Sequence, residues 1–291
     1  MWCGAVAAAG VPPTFRLMSY EPNTLQATLD TVQSGGAILY DIARDPGRWA
    51  LFLDIDGTLI DIADSPDGIT VPPDLPNTLE QISQLLGGAL ALVTGRALVY
   101  ADALFGSHHF PIAGLHGAER RSSSGEVQRL ERSGDFAALK ERITDQARQW
   151  PGVLVEDKGL AIAAHYRQAP EYQQQVEAVM THFAELAGPD YMLQRGKMVL
   201  EIRPSRASKG EALRAFLSEP PFQGRIPIAV GDDLTDEAMF RVANELGGHS
   251  IRIEETAAQS IATSALPSAA GLRAILGTLA QQRKQAGKDA S

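Results

Sequence analysis

The sequence predicts an α/β protein with a Rossmann-like three-layer α/β/α core, a mostly parallel sheet and a smaller α+β cap domain inserted into that core. Short apolar runs without a polar face recur along the 291-residue chain, as in strands that are buried on both sides of a parallel sheet. Helical patterns separate these runs, which indicates βαβ units with right-handed crossovers. Between about residues 119 and 204 the pattern changes to paired strands, and this change predicts the second domain.

The core elements follow from the alternation of helical and apolar patterns. The first strand begins at Trp49, in the run Trp49-Ala-Leu-Phe-Leu-Asp-Ile, and a helix and a linker over residues 24–45 precede it. Before the cap we also expect a helix over 74–86, a strand over 90–93, a short helix over 96–105 and a short strand from Pro111. The βαβ pattern resumes after Pro204.

The cap pattern is a helix followed by two strands, and it occurs twice. The string Ser122-Ser-Ser-Gly125 precedes both units and predicts the turn of a hairpin. The first unit is a helix over 134–149 with strands over 153–157 and 160–166, and the second is a helix over 170–187 with strands over 191–194 and 198–203. Two αββ units predict a small sheet with helices on one face.

These patterns divide the chain into segments. We predict an N-terminal tail and helix (1–45), a core of two pieces (46–118 and 205–278), a cap domain (119–204) and a C-terminal tail (279–291). The insertion is large enough to fold as a unit of its own.

Composition excludes several classes of function. The net charge is −9 at pH 7 and no segment forms a basic patch, so we expect no nucleic-acid partner and no binding to an anionic membrane. No apolar run approaches the roughly 18 residues of a membrane helix. The single cysteine, Cys3, cannot form an internal disulfide, which favours a cytoplasmic protein. We expect a monomer.

The N-terminal segment carries a separate expectation. Residues 1–11 are apolar but have no basic residue before them, which is not typical of a signal peptide. The helical pattern begins only after Met18, so we expect Met18 to be the native start. N-terminal sequencing that found Trp2 or Cys3 would contradict this.

Two acidic clusters stand directly after apolar strands. Asp54 and Asp56 end the first strand, and alternation along an extended chain points both carboxylates the same way. Like charges side by side repel, so we expect a cation nearby, and magnesium (Mg2+) is the economical choice. The second cluster, Asp232-Asp-Leu-Thr-Asp236, follows the apolar run from Ile226. In open α/β sheets, ligands bind at these carboxyl ends of strands.

Two further polar residues stand between the acidic clusters. Thr94 ends the apolar run from Ala89, and Lys209 opens a helical pattern. Taken alone, Thr94 could be a helix N-cap and Lys209 a solvated lysine. An Asp-x-Asp-Gly string can also begin a calcium loop, but that loop needs a glutamate at its twelfth position, where Ser65 stands. The order of the four motifs favours catalysis.

This order resembles the four motifs of the haloacid dehalogenase (HAD) superfamily of phosphatases. The resemblance implies that Asp54 is the nucleophile that becomes an aspartyl phosphate, and that Asp56 is the general acid and then the base. It implies that Thr58 and Thr94 donate hydrogen bonds to phosphoryl oxygens and that Lys209 adds a fixed positive charge.

The resemblance also implies a metal site. Asp54, the backbone carbonyl of Asp56 and Asp232 would hold Mg2+. Asp236 would hold Lys209 or a metal-bound water, and Asp233 could share that role, so this choice stays open at the level of sequence.

The inserted domain resembles the cap of trehalose-6-phosphate phosphatases and their sugar-phosphatase relatives. The strings that carry this resemblance are Gly114-Leu-His-Gly-Ala-Glu119, Val155-Glu-Asp-Lys-Gly-Leu-Ala-Ile-Ala-Ala-His-Tyr-Arg167, Gly196-Lys-Met-Val-Leu-Glu-Ile-Arg-Pro204 and Gly231-Asp-Asp-Leu-Thr-Asp-Glu237. The resemblance covers about residues 48–275 and implies Mg2+-dependent hydrolysis of trehalose 6-phosphate, the last step of trehalose biosynthesis. A trehalose-phosphate synthase is then the expected functional partner.

The same resemblance implies a sugar site in the cap. The residues that it places against the distal glucose are Glu156, Lys158, His165, Lys197 and Glu201, with His116 and Glu119 on the hinge side. Charged and polar groups of this kind can pair several sugar hydroxyls at once. Two alternatives remain: another sugar phosphatase, acting on sucrose 6-phosphate or a glycosylglycerate phosphate, or a sugar-phosphate sensor without catalysis.

Overall fold

A computed structural model describes residues 35–62, 69–131, 134–254 and 259–289. The predictions about Cys3, Met18 and the beginning of the helix over 24–45 lie outside these ranges. Residues 35–44 form helix α1.

The remaining elements alternate along the chain much as predicted. The strands are β1 (Trp49–Leu53), β2 (Leu90–Val93), β3 (Ile112–Gly114), β4 (Glu119–Arg121), β5 (Val127–Arg129), β6 (Leu154–Asp157), β7 (Ile162–His165), β8 (Tyr191–Gly196), β9 (Val199–Pro204), β10 (Ile226–Gly231), β11 (His249–Ile253) and β12 (Ser264–Leu266). The helices are α2 (Leu75–Leu85), α3 (Leu98–Phe105), α4 (Gly134–Ala147), α5 (Gln173–Ala187), α6 (Lys209–Leu217), α7 (Glu237–Glu245) and α8 (Ala269–Asp289).

The core sheet has the strand order β12-β11-β10-β1-β2-β3-β4-β5, and β12 to β3 pair in parallel. Helix α2 packs against α8, and α6 packs against α7. This arrangement confirms the predicted α/β class with a mostly parallel sheet. Among the described helices, none has both the length and the apolar character needed to cross a bilayer.

Strand β1 lies at the centre of this sheet, and all five of its residues are buried. The ring of Phe52 packs against Phe216 and Phe222, with centroids 6.2 and 5.6 Å apart. A strand buried on both faces needs an apolar residue at every position, which explains why β1 has no polar face.

The register of β1 and β10 positions the acidic clusters. Leu53 pairs with Val230 in the parallel ladder between these strands. Asp54 and Asp232, which follow the two strands, therefore leave the sheet at the same edge. Lys209, the first residue of α6, follows the cap insertion in the sequence, and its side chain reaches the same edge of the sheet.

The cap has its own antiparallel sheet, with the strand order β6-β7-β9-β8. Helices α4 and α5 pack against each other and bury an apolar core with the sheet, in which Phe136 stacks on Tyr191 at 4.0 Å between ring centroids. Each helix is followed by two strands, so the two αββ units are present as predicted.

The hairpin of β4 and β5 differs from its prediction. The sequence pattern placed these residues in the cap, but β4 pairs antiparallel with β3 and extends the core sheet. Arg120 Nη1 donates to Glu219 Oε1 at 2.6 Å, and Ser123 Oγ donates to the Pro220 carbonyl at 2.8 Å. The sequence of a short polar hairpin predicts its turn, but it does not predict which sheet edge the hairpin pairs with. The cap elements therefore begin with α4, not at residue 119.

The C-terminal segment also differs. Residues 279–291 were predicted to be a tail, but helix α8 continues to Asp289. Leu279 and Ala280 are buried, so the first turn of this segment belongs to the core.

An apolar contact joins the cap to the core. Leu160, in the turn between β6 and β7, is buried against apolar side chains of the core and of the linker before α6. This seam cluster consists of Leu160, Ala97, Leu115, Ala118 and Ala207.

Candidate active site

The site is a cavity of about 520 Å3 between the core and the cap. The core contributes Asp54, Asp56 and Asp232, and the cap contributes Lys158 and Glu201 among others. The carboxyl ends of β1 and β10 form its floor, as expected for an open α/β sheet.

Lys209 joins two carboxylates on this floor. Its Nζ donates to Asp54 Oδ1 at 2.6 Å and to Asp236 Oδ1 at 2.7 Å, and all three side chains are at most 5% exposed. Burial opposes the charge of Lys209, but the charges of Asp236 and Asp54 outweigh burial and raise the pKa of the lysine. Ser208 caps the helix that begins at Lys209, since its Oγ accepts from Glu211 N at 3.0 Å.

The roles of Asp233 and Asp236, which the sequence left open, are distinct in the structure. Asp236 uses Oδ1 for Lys209, and its Oδ2 accepts from the backbone N–H groups of Asp232 and Asp233 at 3.0 Å each. Asp233 instead accepts from Leu234 N at 2.6 Å, at the start of a short 3-10 helix. Asp236 is therefore the residue that holds Lys209.

Two glycines make this packing possible. A Cβ on Gly231 would lie 2.2 Å from Asp236 Cγ, and a Cβ on Gly57 would lie 2.1 Å from Asp232 Oδ2. Gly57 also has φ +83°, a left-handed conformation that favours glycine.

The acids at this edge fit a divalent cation. Asp54, Asp232 and Asp236 each bring one carboxylate oxygen to within 4.8 Å of the others. Burial raises the pKa of Asp54 well above its ordinary range although Lys209 opposes it, and burial with the charge of Asp236 raises the pKa of Asp232 to about 7. A bound cation would relieve this cost of ionisation, and oxygen donors are the ligands that Mg2+ prefers.

Asp56 lies apart from that cluster and is paired with Arg96. The guanidinium Nε and Nη2 of Arg96 donate to Asp56 Oδ2 and Oδ1 at 2.7 and 2.8 Å. The sequence prediction missed Arg96. Its position directly after Thr94 and Gly95, at the end of a strand, is the signal that could have revealed it.

The two predicted threonines lie below the cavity surface. Thr58 and Thr94 are fully buried. Thr58 Oγ1 donates to Asp232 Oδ1 at 3.3 Å, and Thr94 Oγ1 accepts from Arg96 N at 3.1 Å. Thr58 thus contacts a candidate metal ligand, and Thr94 supports the turn that carries Arg96.

The cap side of the cavity is lined by ion pairs. Lys158 Nζ donates to Glu201 Oε2 at 2.8 Å and lies 3.4 Å from the Gly95 carbonyl of the core. The imidazole Nε2 of His165 lies 3.0 Å from Glu156 Oε2. Burial opposes both charges, but Glu201 raises the pKa of Lys158, and the hydrogen bond from His165 with the charge of Lys158 lowers the pKa of Glu156.

Lys197 and Arg167 complete the cap side. Both line the cavity, and Arg167 Nη2 lies 3.5 Å from the Lys197 carbonyl. Arg167 is the last residue of the string that begins at Val155, but the sequence prediction gave it no role.

His116 lies where the cap and the core meet. Its backbone is left-handed, with φ 57°, and its Nε2 is 3.9 Å from Glu201 Oε1. Within the described residues, His116 Nδ1 and Glu201 Oε1 have no hydrogen-bond partner although both are buried. Burial, reinforced by the charges of Lys209 and Arg203, lowers the pKa of His116 well below its ordinary range, so the ring is neutral.

Glu119, like Thr58, Thr94 and Asp236, is not among the residues that line the cavity. Its Oε2 accepts from Leu98 N, at the start of α3, at 2.9 Å, and its Oε1 accepts from Arg129 Nε at 3.1 Å. The first bond ties the hairpin to α3, and the second joins β4 and β5 within the hairpin.

Comparisons with known proteins agree with this geometry. A family model described as trehalose-phosphatase matches residues 52–270. The probable trehalose-phosphate phosphatase of Sinorhizobium fredii is 55% identical over 246 residues, which span 84% of this chain and 93% of the relative. The trehalose-6-phosphate phosphatase of Escherichia coli is 42% identical over 214 residues, which span 73% and 80% of the two chains.

A solved structure has the same fold. The C-terminal domain of trehalose-6-phosphate phosphatase from Candida albicans aligns with a TM-score of 0.73 over 84% of this chain and 96% of that chain, at 21% identity. The structural likeness concerns the fold alone, whereas the family match and the sequence identities concern the family. On these grounds the chain belongs to the trehalose-phosphatase family.

Proposed function

We propose that this protein hydrolyses trehalose 6-phosphate to trehalose and inorganic phosphate through an aspartyl-phosphate intermediate. The observation that carries this proposal is the buried contact of Lys209 with Asp54 and Asp236 on the floor of a cavity whose opposite side is a charged cap. The relatives in S. fredii and E. coli, which are named for this activity, support the substrate.

Asp54 is the proposed nucleophile. Lys209 holds its Oδ1, which fixes the side chain and leaves Oδ2 without this contact. In the first half of the reaction, a carboxylate oxygen of Asp54 bonds to phosphorus while the bond from phosphorus to the sugar oxygen breaks. Asp56 gives a proton to that leaving oxygen. In the second half, a water oxygen bonds to phosphorus, the bond from phosphorus to the Asp54 oxygen breaks, and Asp56 accepts a proton from that water.

Asp54, Asp232 and the backbone carbonyl of Asp56 would hold Mg2+ in this proposal. When bound, the cation supplies positive charge that neutralises the non-bridging phosphoryl oxygens. Lys209 adds a second, fixed charge on the same oxygens, and Asp236 keeps it in place. We assign Thr58 and Thr94 to the support of this phosphate site through their hydroxyl groups.

The cap residues would bind the sugar. The cavity volume lies within the roughly 300–1,000 Å3 that is usual for small-molecule sites. We assign hydroxyl contacts to the lining residues Glu156, Lys158, His165, Lys197, Glu201 and His116. His116 Nδ1 and Glu201 Oε1 have no hydrogen-bond partner among the described residues, which supports this assignment because buried polar atoms need such partners. We assign Glu119 no substrate contact.

We also propose that the protein acts as a cytoplasmic monomer on substrate made by a trehalose-phosphate synthase. The single cysteine supports a reducing compartment, and a small sugar phosphate is the only partner that the proposed reaction requires.

A substrate panel tests the proposed function. Phosphate release from trehalose 6-phosphate, sucrose 6-phosphate, glucose 6-phosphate and an aryl phosphate is measured with Mg2+ and with chelator. We expect strong, metal-dependent preference for trehalose 6-phosphate. Metal-dependent hydrolysis without that preference would retain the phosphatase and reject the substrate. Binding without hydrolysis in any condition would identify a sensor.

A further inference from the structure

Arg96 is a cation in the cavity wall that the proposed reaction does not yet use. Its two hydrogen bonds to Asp56, at 2.7 and 2.8 Å, form a bidentate pair. Such a pair fixes the plane of a carboxylate as well as its position, and it is stronger than a neutral hydrogen bond. Asp56 is therefore held in one orientation.

The backbone of Arg96 is anchored on both sides. Its N–H donates to Thr94 Oγ1 at 3.1 Å, and its carbonyl accepts from Leu115 N at 2.9 Å. The guanidinium thus extends from a fixed turn at the end of β2. The orientation of Asp56 is set by the core rather than by the cap.

Asp56 lies outside the described acidic cluster. Asp54, Asp232 and Asp236 share that cluster, and among the described residues Asp56 is not a member. The side chain of Asp56 is 36% exposed, whereas that of Asp54 is 5% exposed. Water in the cavity can therefore reach the Asp56 carboxylate easily.

We propose that Arg96 is a positioning residue for the second half of the reaction, in which it holds the Asp56 carboxylate where it can accept a proton from the attacking water. This inference rests on the proposed function. In that step, the water oxygen bonds to phosphorus and the bond from phosphorus to the Asp54 oxygen breaks. The water proton passes to Asp56, and phosphate leaves.

The two halves of the reaction bring different partners to Asp56, the sugar oxygen in the first half and water in the second. Arg96 also lines the cavity beside Glu156 and Lys158 and interacts electrostatically with both. The sugar would fill this region in the first half, and water can enter it after the sugar has left. The pair with Arg96 is thus suited to the later step.

The fraction of enzyme that carries phosphate on Asp54 during turnover tests this inference. The enzyme is mixed with saturating trehalose 6-phosphate and Mg2+, quenched with acid and analysed by intact mass. Arg96→Gln should lower kcat by about 10-fold or more and raise the phosphorylated fraction several-fold above wild type, because only the second half slows. Arg96→Lys should fall between the two, since lysine keeps the charge but cannot form the bidentate pair.

Arg167→Gln is the matched control, because it removes an arginine that lines the same cavity from the cap rather than from the core. It should change the KM without raising the phosphorylated fraction. A loss of kcat in Arg96→Gln with a phosphorylated fraction at or below that of wild type would overturn the inference, as would an unchanged kcat. If Arg96→Gln fails to fold, Arg96→Lys alone decides by the same criterion. Wild-type enzyme that releases no phosphate would instead reject the proposed function.

Discussion

At the scale of single residues, Asp236 connects Lys209 to the loop after β10. One oxygen accepts from Lys209, and the other accepts from the N–H groups of Asp232 and Asp233. The side chain is fully buried, so each of these donors would lose its partner in a dry environment if the carboxylate were removed. The position of a candidate metal ligand and the position of a cation thus depend on the same group.

Asp236→Asn should therefore damage both activity and stability. An amide has only one acceptor oxygen, so either Lys209 or the backbone N–H groups lose their partner. We expect a loss of kcat of about 100-fold or more and a fall of about 3 kcal/mol in the free energy of unfolding. Steady-state kinetics and urea denaturation measure the two effects.

Asp233→Asn is the control for this prediction. Asparagine caps a helix about as well as aspartate, so the contact with Leu234 N should survive. A kcat as low as that of Asp236→Asn would contradict the separate roles assigned to the two acids.

At the scale of elements, the turn between β6 and β7 joins the cap to the core. Leu160 is buried in one cluster with Ala97, Leu115, Ala118 and Ala207. Two residues earlier, Lys158 Nζ approaches the Gly95 carbonyl. An apolar side chain of the cap therefore packs against the core, in addition to the two chain connections between them.

Leu160→Ala should loosen this seam. We expect a loss of about 2–5 kcal/mol in the free energy of unfolding, as for other buried leucines, together with a higher KM for trehalose 6-phosphate. Hydrolysis of an aryl phosphate should change much less, because that substrate needs no cap contact.

Leu139→Ala provides the comparison, because Leu139 is buried within the cap core on α4 rather than at the seam. It should lower the stability and leave the KM of the folded enzyme near that of wild type. Equal increases of KM in the two variants would show that the cap acts as a whole and that Leu160 has no special role.

At the scale of the whole molecule, stability should depend on pH through the acidic cluster. In the absence of metal, the pKa of Asp232 is raised from 3.8 to about 7, chiefly by burial and then by the charge of Asp236. Between these values the folded chain binds a proton that the unfolded chain does not. The stabilisation is thus complete below about pH 4 and is lost as the pH rises towards 7.

Metal removal should expose this dependence. Chelator-treated protein should have a lower unfolding midpoint at about pH 7.5 than at about pH 5, and excess Mg2+ should raise the midpoint more at the higher pH. A concentration 100 times the Kd would add about 2.7 kcal/mol. Asp232→Asn should reduce both effects, and a variant that retained them in full would exclude Asp232 as their source. Thermal denaturation followed by circular dichroism measures the midpoints.

The sequence alone predicts the parts of this architecture that depend on local pattern. The unbroken apolar run predicts β1, and residue periodicity predicts the two αββ units. Asp54 and Asp232 each follow an apolar strand, which predicts that their side chains lie close together at one edge of the sheet. Pairings between distant segments leave no such pattern. Two features depend on which surfaces face each other after folding. They are the pairing of the hairpin at Glu119 with the core sheet and the ion pair between Arg96 and Asp56.

The central place of β1 in the core sheet has a consequence for biosynthesis. A ribosome makes the chain from the N-terminus, and β1 comes early, but its neighbour β10 begins only at Ile226. All four strands of the cap sheet lie between these two, from Leu154 to Pro204. All residues of the cap sheet are therefore synthesised before β10. Until β10 has been synthesised, β1 can pair with β2 on one edge but has no partner on the other.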